Sequence, residues 1–161
     1  MPICIFIFIK FVTVKILFLM RIKKVNIVNF KGFERKTFEF DNSLSVIVGN
    51  NTSGKTTLIQ ALQVALGAYL KSLSSLPNEK AYSCNFSAKD VYRRYNPEKK
   101  DFFSNEENTR VEVDADFCVT IPHDNDFGYE WHSISWWREL RGSQTTHSIE
   151  CAGELMSIVK S

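Results

Sequence analysis

A chain of 161 residues is one domain or a large piece of one, and 44% hydrophobic with 24% charged is ordinary for a globular protein. A net charge of +2 makes no strong steering field, so composition gives no argument for nucleic acid while leaving room for a local patch. Cys4, Cys84, Cys118 and Cys151 are far apart with no Cys-x-x-Cys pair, so neither a zinc knuckle nor a dense disulfide framework is suggested and reduced cytosolic thiols are the default.

Residues 3–19 are apolar except for Lys10, Thr13 and Lys15. A membrane span would set Lys10 near the bilayer centre at a cost of about 2.5–3.5 kcal/mol, so a spanning helix is disfavoured. A secretory signal is disfavoured too, because Met20-Arg21-Ile22-Lys23-Lys24 puts its charge after the apolar run and no small-residue cleavage site follows. Three readings of 1–19 stand: an upstream extension of a frame that starts at Met20, a membrane-associated leader, or an added edge strand. From Met20 onward, Ile22, Val25, Ile27, Val28 and Phe30 interleave with Arg21, Lys23, Lys24, Asn26 and Asn29, which predicts a partly exposed strand. Lys31-Gly32-Phe33 predicts a turn, Lys36 to Phe40 a second alternating strand, and Asp41-Asn42-Ser43 another turn.

Leu44-Ser45-Val46-Ile47-Val48 is short, apolar and β-branched, and predicts a buried strand. It delivers the chain to Gly49-Asn50-Asn51-Thr52-Ser53-Gly54-Lys55-Thr56-Thr57, which satisfies the pattern Gly, four residues, Gly, Lys, Ser or Thr. The glycines let the backbone curl so that successive N–H groups converge on one centre, where a nucleotide phosphate can sit. Lys55 is placed to reach the outer phosphate oxygens, and the Thr56 hydroxyl to ligate Mg²⁺. A random chain of this length shows the pattern roughly once in a few hundred cases. Leu58 to Leu70 follows as a helix apolar almost all round, which predicts burial between a sheet and further neighbours.

Lys71 to Ser87 reads as a polar linker with the helix ending near 69–74, Ala88 to Tyr95 as one or two helical turns, and Glu98 to Asn108 as an exposed charged loop. Arg110 to Ile121 alternates cleanly: Val111, Val113, Ala115, Phe117, Val119 and Ile121 face one way. After the turn at 122–128, Tyr129 to Arg138 alternates again, so the two predict a long antiparallel hairpin. Asp114, Asp116, His123, Asp124 and Asp126 invite a metal reading, yet strand-surface carboxylates and turn-favoured Asp account for them. Trp131, Trp136 and Trp137 could stack bases, with hairpin packing the plainer role, and Cys118 is a packing residue.

The order Ile27-Val28-Asn29-Phe30-Lys31-Gly32-Phe33, Phe38-Glu39-Phe40, Ile47-Val48-Gly49 through Lys55 and Leu58-Ile59-Gln60-Ala61-Leu62 resembles the N-terminal lobe of ABC-type AAA ATPases, relatives of SMC proteins, RecF and the OLD nucleases. Thr52 stands where that pattern commonly has Gly. Ala88 to Arg93, the strand at 110–121, and Trp136-Trp137-Arg138 before Gln144-Thr145-Thr146 look more loosely like bacterial predicted ATP-binding proteins described as virulence-associated and related to Septu-type defence ATPases. The resemblance implies an α/β P-loop NTPase of ABC-ATPase type, with antiparallel hairpins around the P-loop helix and an incomplete lobe over 20–161. It implies Mg²⁺ and ATP as cofactors, with Gly49, Asn50, Asn51, Thr52, Ser53, Gly54, Lys55, Thr56 and Thr57 binding nucleotide, Lys55 catalytic, and Lys31 beside the adenine and α-phosphate, a solvated lysine on a turn between strands being the alternative for Lys31.

Such a hydrolase also needs an acidic residue ending a second apolar strand, and no run of four apolar residues followed by Asp or Glu occurs after Thr57. The family's signature and switch histidine are missing as well. The expectation is therefore the first lobe of a longer cytoplasmic ATPase that pairs head to tail with a second copy, with DNA or an effector nuclease left open as further partners. A non-catalytic remnant used for protein interaction is the alternative. A kinase or GTPase fits less well, because a long hairpin follows the helix and no Asn-Lys-x-Asp stretch is present.

Overall fold

The computed structural model describes residues 19–72, 84–104, 108–123, 126–142 and 144–147. Alternation in the sequence becomes a five-stranded antiparallel sheet of β1 (Leu19–Phe30), β2 (Phe33–Glu39), β5 (Thr109–His123), β6 (Asp126–Arg141) and β7 (Gln144–His147). The order across the sheet is β2-β1-β5-β6-β7, so β5 is central, and it pairs with both β1 and β6. Between β2 and β5 in sequence come α1 (Lys55–Ser72), a single 3₁₀ turn at Ala88–Asp90, and a separate two-stranded sheet of β3 (Arg93–Asn96) and β4 (Asp101–Ser104).

One face of the large sheet carries the core. Val25 and Ile27 of β1, Val111, Val113, Ala115 and Phe117 of β5, and Ile134, Trp136 and Leu140 of β6 meet Leu58, Ala61, Val64 and Ala65 of α1. The period of two in the strands and of three to four in the helix brings these residues to one interface. Phe30 and Phe86 close one side edge to face, with ring centroids 5.8 Å apart. On the other face, Ser135 and Ser133 donate to Asp114 and Asp116, and Lys23 pairs with Asp116 at 3.4 Å. Those strand aspartates thus serve cross-strand pairing on the wet side.

The wet face also engages Trp131 and Trp137, where the Arg21 and Arg110 guanidinium groups lie 4.7 Å from their respective ring centroids. Trp136 points the opposite way, is buried, and donates its indole N–H to the Ala65 carbonyl of α1 at 3.0 Å. Cys118 is buried, and burial pushes its thiol pKa up, as suits a packing residue.

Some expectations change. Leu44–Val48 forms no strand: Val46 is 72% exposed and Val48 86%. It pairs with none of the described strands, so its β propensity is not met by a ladder. What holds the segment is Asp41, which accepts from the Ser43 amide and hydroxyl while its own amide donates to Ser45. Helix α1 is likewise buried on one face only, with Ile59 51% exposed. Ala88 to Tyr95 is one 3₁₀ turn followed by a strand, because the Ser87 and Asp90 capping box closes the turn at once. The loop expected at 98–108 contains β4, which β3 pairs with residue for residue. The N-terminal run and most of the linker lie outside the described residues.

Candidate functional site

Gly49 to Thr57 runs from the exposed segment into the first turn of α1. Gly54 adopts φ +91°, and Phe33 lies against it: a Cβ at Gly54 would sit 2.8 Å from Cε1 of that ring and closer still to Cζ. Both facts require glycine there. At Gly49 a Cβ would collide with the Ser53 side chain, so the first glycine is fixed by the loop's own close approach. Thr52, which stands where the resembled pattern has glycine, carries φ 76°. That is why the pattern favours glycine at this position, and threonine bears the strain.

The loop curls around the Lys55 ammonium. Its Nζ donates to the Gly49 carbonyl at 2.5 Å, the Asn50 carbonyl at 2.7 Å and the Ser53 hydroxyl at 3.3 Å. The Ser53 amide donates back to the Asn50 carbonyl at 3.2 Å, and the Leu58 amide to the Gly54 carbonyl at 2.9 Å, so helical bonding starts within the motif. No acidic residue stands in the first turn of α1, so no carboxylate of that turn offsets the positive end of the helix dipole. Thr56 is exposed on that turn, and its hydroxyl is a hard oxygen donor of the kind that Mg²⁺ accepts. Glycine-enabled curvature at a helix N-terminus, one ammonium and one hydroxyl make a set whose chemistry fits polyphosphate with a magnesium ion.

Lys31 sits in the β1–β2 turn with φ 48°, two residues after Asn29 at φ 52°. Its ammonium donates to Gln60 of α1 at 2.8 Å and pairs with Asp90 at 3.1 Å, while its backbone amide donates to the Asp90 carbonyl. The structure therefore ties Lys31 to the second turn of the P-loop helix and to the 3₁₀ turn. The Tyr92 amide donates to the Asn29 carbonyl, and so does the buried Thr109 hydroxyl, which holds this turn to β5.

Sequence reasoning missed the contacts that four residues make. Phe33 floors the loop through a contact no local pattern reveals. Asp90 carried a readable signal, the Ser87-x-x-Asp90 spacing of a capping box. Arg138 and Trp136 bond mid-helix carbonyls: the Arg138 guanidinium, 1% exposed, donates to Val64 O at 2.7 Å, to the Cys84 carbonyl, and to Asn85 Oδ1 at 2.6 Å. Burial lowers its pKa from the ordinary value, and neighbouring Cys84 acts against that shift. Gly67 makes the approach feasible, since a Cβ there would lie 2.8 Å from both Arg138 Nη1 and the Cys84 carbonyl. Among the described residues, no cluster of three or more His, Cys, Asp or Glu side chains could hold a metal ion, and no helix is long and apolar enough to cross a membrane.

Residues 24–157 match the family model described as AAA domain. The chain belongs to the AAA domain family. This AAA domain is 34% identical over 91 residues to structural maintenance of chromosomes protein 6 of Saccharomyces cerevisiae, covering 53% of the chain and 8% of the relative. It is 30% identical over 81 residues to the DNA replication and repair protein RecF of Francisella tularensis, covering 50% and 23%. With the DNA double-strand break repair Rad50 ATPase of Nanoarchaeum equitans it shares 29% identity over 104 residues, covering 63% and 13%. The chain thus spans less than a quarter of the length of each of these relatives. None of the three bears the virulence-associated or Septu-type description that the downstream segment suggested.

Proposed function

We propose that this AAA domain binds Mg-ATP through Gly49 to Thr57 as the first lobe of an ABC-type, SMC-like ATPase. The observation that carries the reading is the Lys55 ammonium gathered by the carbonyls of its own glycine-hinged loop at a helix N-terminus without acidic residues. An incoming polyphosphate offers that cation a stronger acceptor than neutral carbonyls, because charge-assisted hydrogen bonds are roughly twice as strong as neutral ones. When bound, magnesium neutralises phosphate charge, and Thr56 is the residue that would ligate it. Lys55 also supplies the cation that supports charge developing on the phosphates during transfer.

Hydrolysis, in this reading, needs acidic and signature groups from a second lobe and head-to-tail pairing around two nucleotides. The exposed apolar run Leu44–Val48 and the exposed Ile59 on α1 support an absent complement, since natural surfaces seldom leave contiguous apolar patches uncovered. Action on DNA, which the names of RecF and Rad50 print for those proteins, and a cytoplasmic location belong to the same proposal. Titration calorimetry tests it. Mg-ATP should bind the wild-type chain, and Lys55→Ala should abolish the heat; equal affinity in both would remove the loop from consideration.

A further inference from the structure

The β3–β4 hairpin stands apart from the main sheet, and among the described residues its two strands pair only with each other. A lone two-stranded hairpin is marginally stable, and apolar rings on one normally find a core to pack on. Here they do not: Tyr95 is 50% exposed, Phe102 60% and Phe103 49%. The register sets Tyr95 opposite Phe102 and Arg93 opposite Ser104 on one face, with Arg94 opposite Phe103 on the other. Tyr95 and Phe102 form a tilted pair with centroids 5.2 Å apart. Lys99 and Lys100 lie at the tip, so Arg93, Arg94, Lys99 and Lys100 stand against the carboxylates Glu98 and Asp101 over residues 93–104.

We infer that this hairpin is a platform for single-stranded nucleic acid. Each face offers a π surface beside a guanidinium, and the local excess of cations complements a phosphate backbone even though the whole chain is nearly neutral. Unpaired bases expose the flat apolar faces that such rings stack on, whereas duplex bases are already stacked on one another. Because both faces are furnished, successive nucleotides can follow the hairpin around its edge. This surface is separate from the P-loop in sequence and needs no ATP.

The test is fluorescence anisotropy of a labelled oligothymidine with the full chain, in the absence of nucleotide and magnesium, over a range of salt. Saturable binding should weaken as salt rises, and Tyr95→Ala and Phe102→Ala should each weaken it about tenfold. Tyr95→Phe keeps the π face and should retain affinity. Arg94→Gln should flatten the dependence of log affinity on log salt by about 0.7. Both rings are largely solvent-facing, so their removal leaves the main core intact. If either variant fails to fold by circular dichroism, Phe103→Ser on the opposite face provides the same readout. No saturable binding, binding untouched by ring removal, or equal affinity for duplex of the same length would overturn the inference. Omitting nucleotide keeps these outcomes independent of the P-loop.

Discussion

Gly54 carries two demands at once, a φ of +91° and contact with the Phe33 ring, and separating them is a test at the scale of one residue. Gly54→Ala should cost about 1–3 kcal/mol from backbone strain and displace the ring as well. Adding Phe33→Ala opens the space without changing φ, so the double variant should recover only part of the lost thermal stability, and full recovery would show that backbone strain is negligible. The two roles were unequally legible. The glycine itself was readable from the motif, because its spacing to Lys55 is the signal; the ring beneath it comes from the start of β2, twenty-one residues upstream, and no local pattern encodes that approach. Lys31 was readable as a turn residue, but its ties to Gln60 and Asp90 depend on how three separate segments dock.

At the scale of elements, the hairpin of β5 and β6 grips α1 through polar bonds as well as apolar packing. Arg138 and Trp136 alternate with the wet-face residues Ser135 and Trp137, so a period of two delivers a guanidinium and an indole to the helix side. Arg138→Met should lower stability by about 2–4 kcal/mol, since it strips buried carbonyls and Asn85 of a charged donor. Denaturant unfolding monitored by tryptophan fluorescence reads this out, and a loss below about 0.5 kcal/mol would place the bonds among near-neutral contacts. Trp136→Phe keeps the apolar bulk and removes one N–H donor, so its smaller cost sets the scale for a neutral bond. The strands were legible because alternation at 110–121 and 129–138 is strict. Arg138 was not, because a charged residue on a core-facing position contradicts the pattern that found the strand, and only the carbonyls of α1 explain it.

For the whole molecule, one part of the AAA domain is packed and another is open to solvent. The antiparallel sheet, with α1 against its inner face, is closed by its own contacts, while Leu44–Val48 and the outer side of α1 remain in solvent. The strand expected at 44–48 failed for a plain reason: its composition calls for pairing on a ladder, and propensity supplies the demand without the partner. Family membership was legible from the order of motifs between Ile27 and Leu62, because glycine spacing and alternation are written locally. A helical turn at 88–90 was legible, but the separate hairpin at 93–104 was not, since short strands rich in charge mimic loops. The central claim is that the amides of Gly49 to Thr57 form a pocket for polyphosphate, and amide chemical shifts measured by NMR during addition of a magnesium-bound, non-hydrolysable ATP analogue test it most directly. The backbone N–H signals of Asn50 to Thr57 should move far more than those of β5 and β6, and with the Lys55→Ala variant they should stay still; a wild-type loop whose amides do not respond would contradict the account.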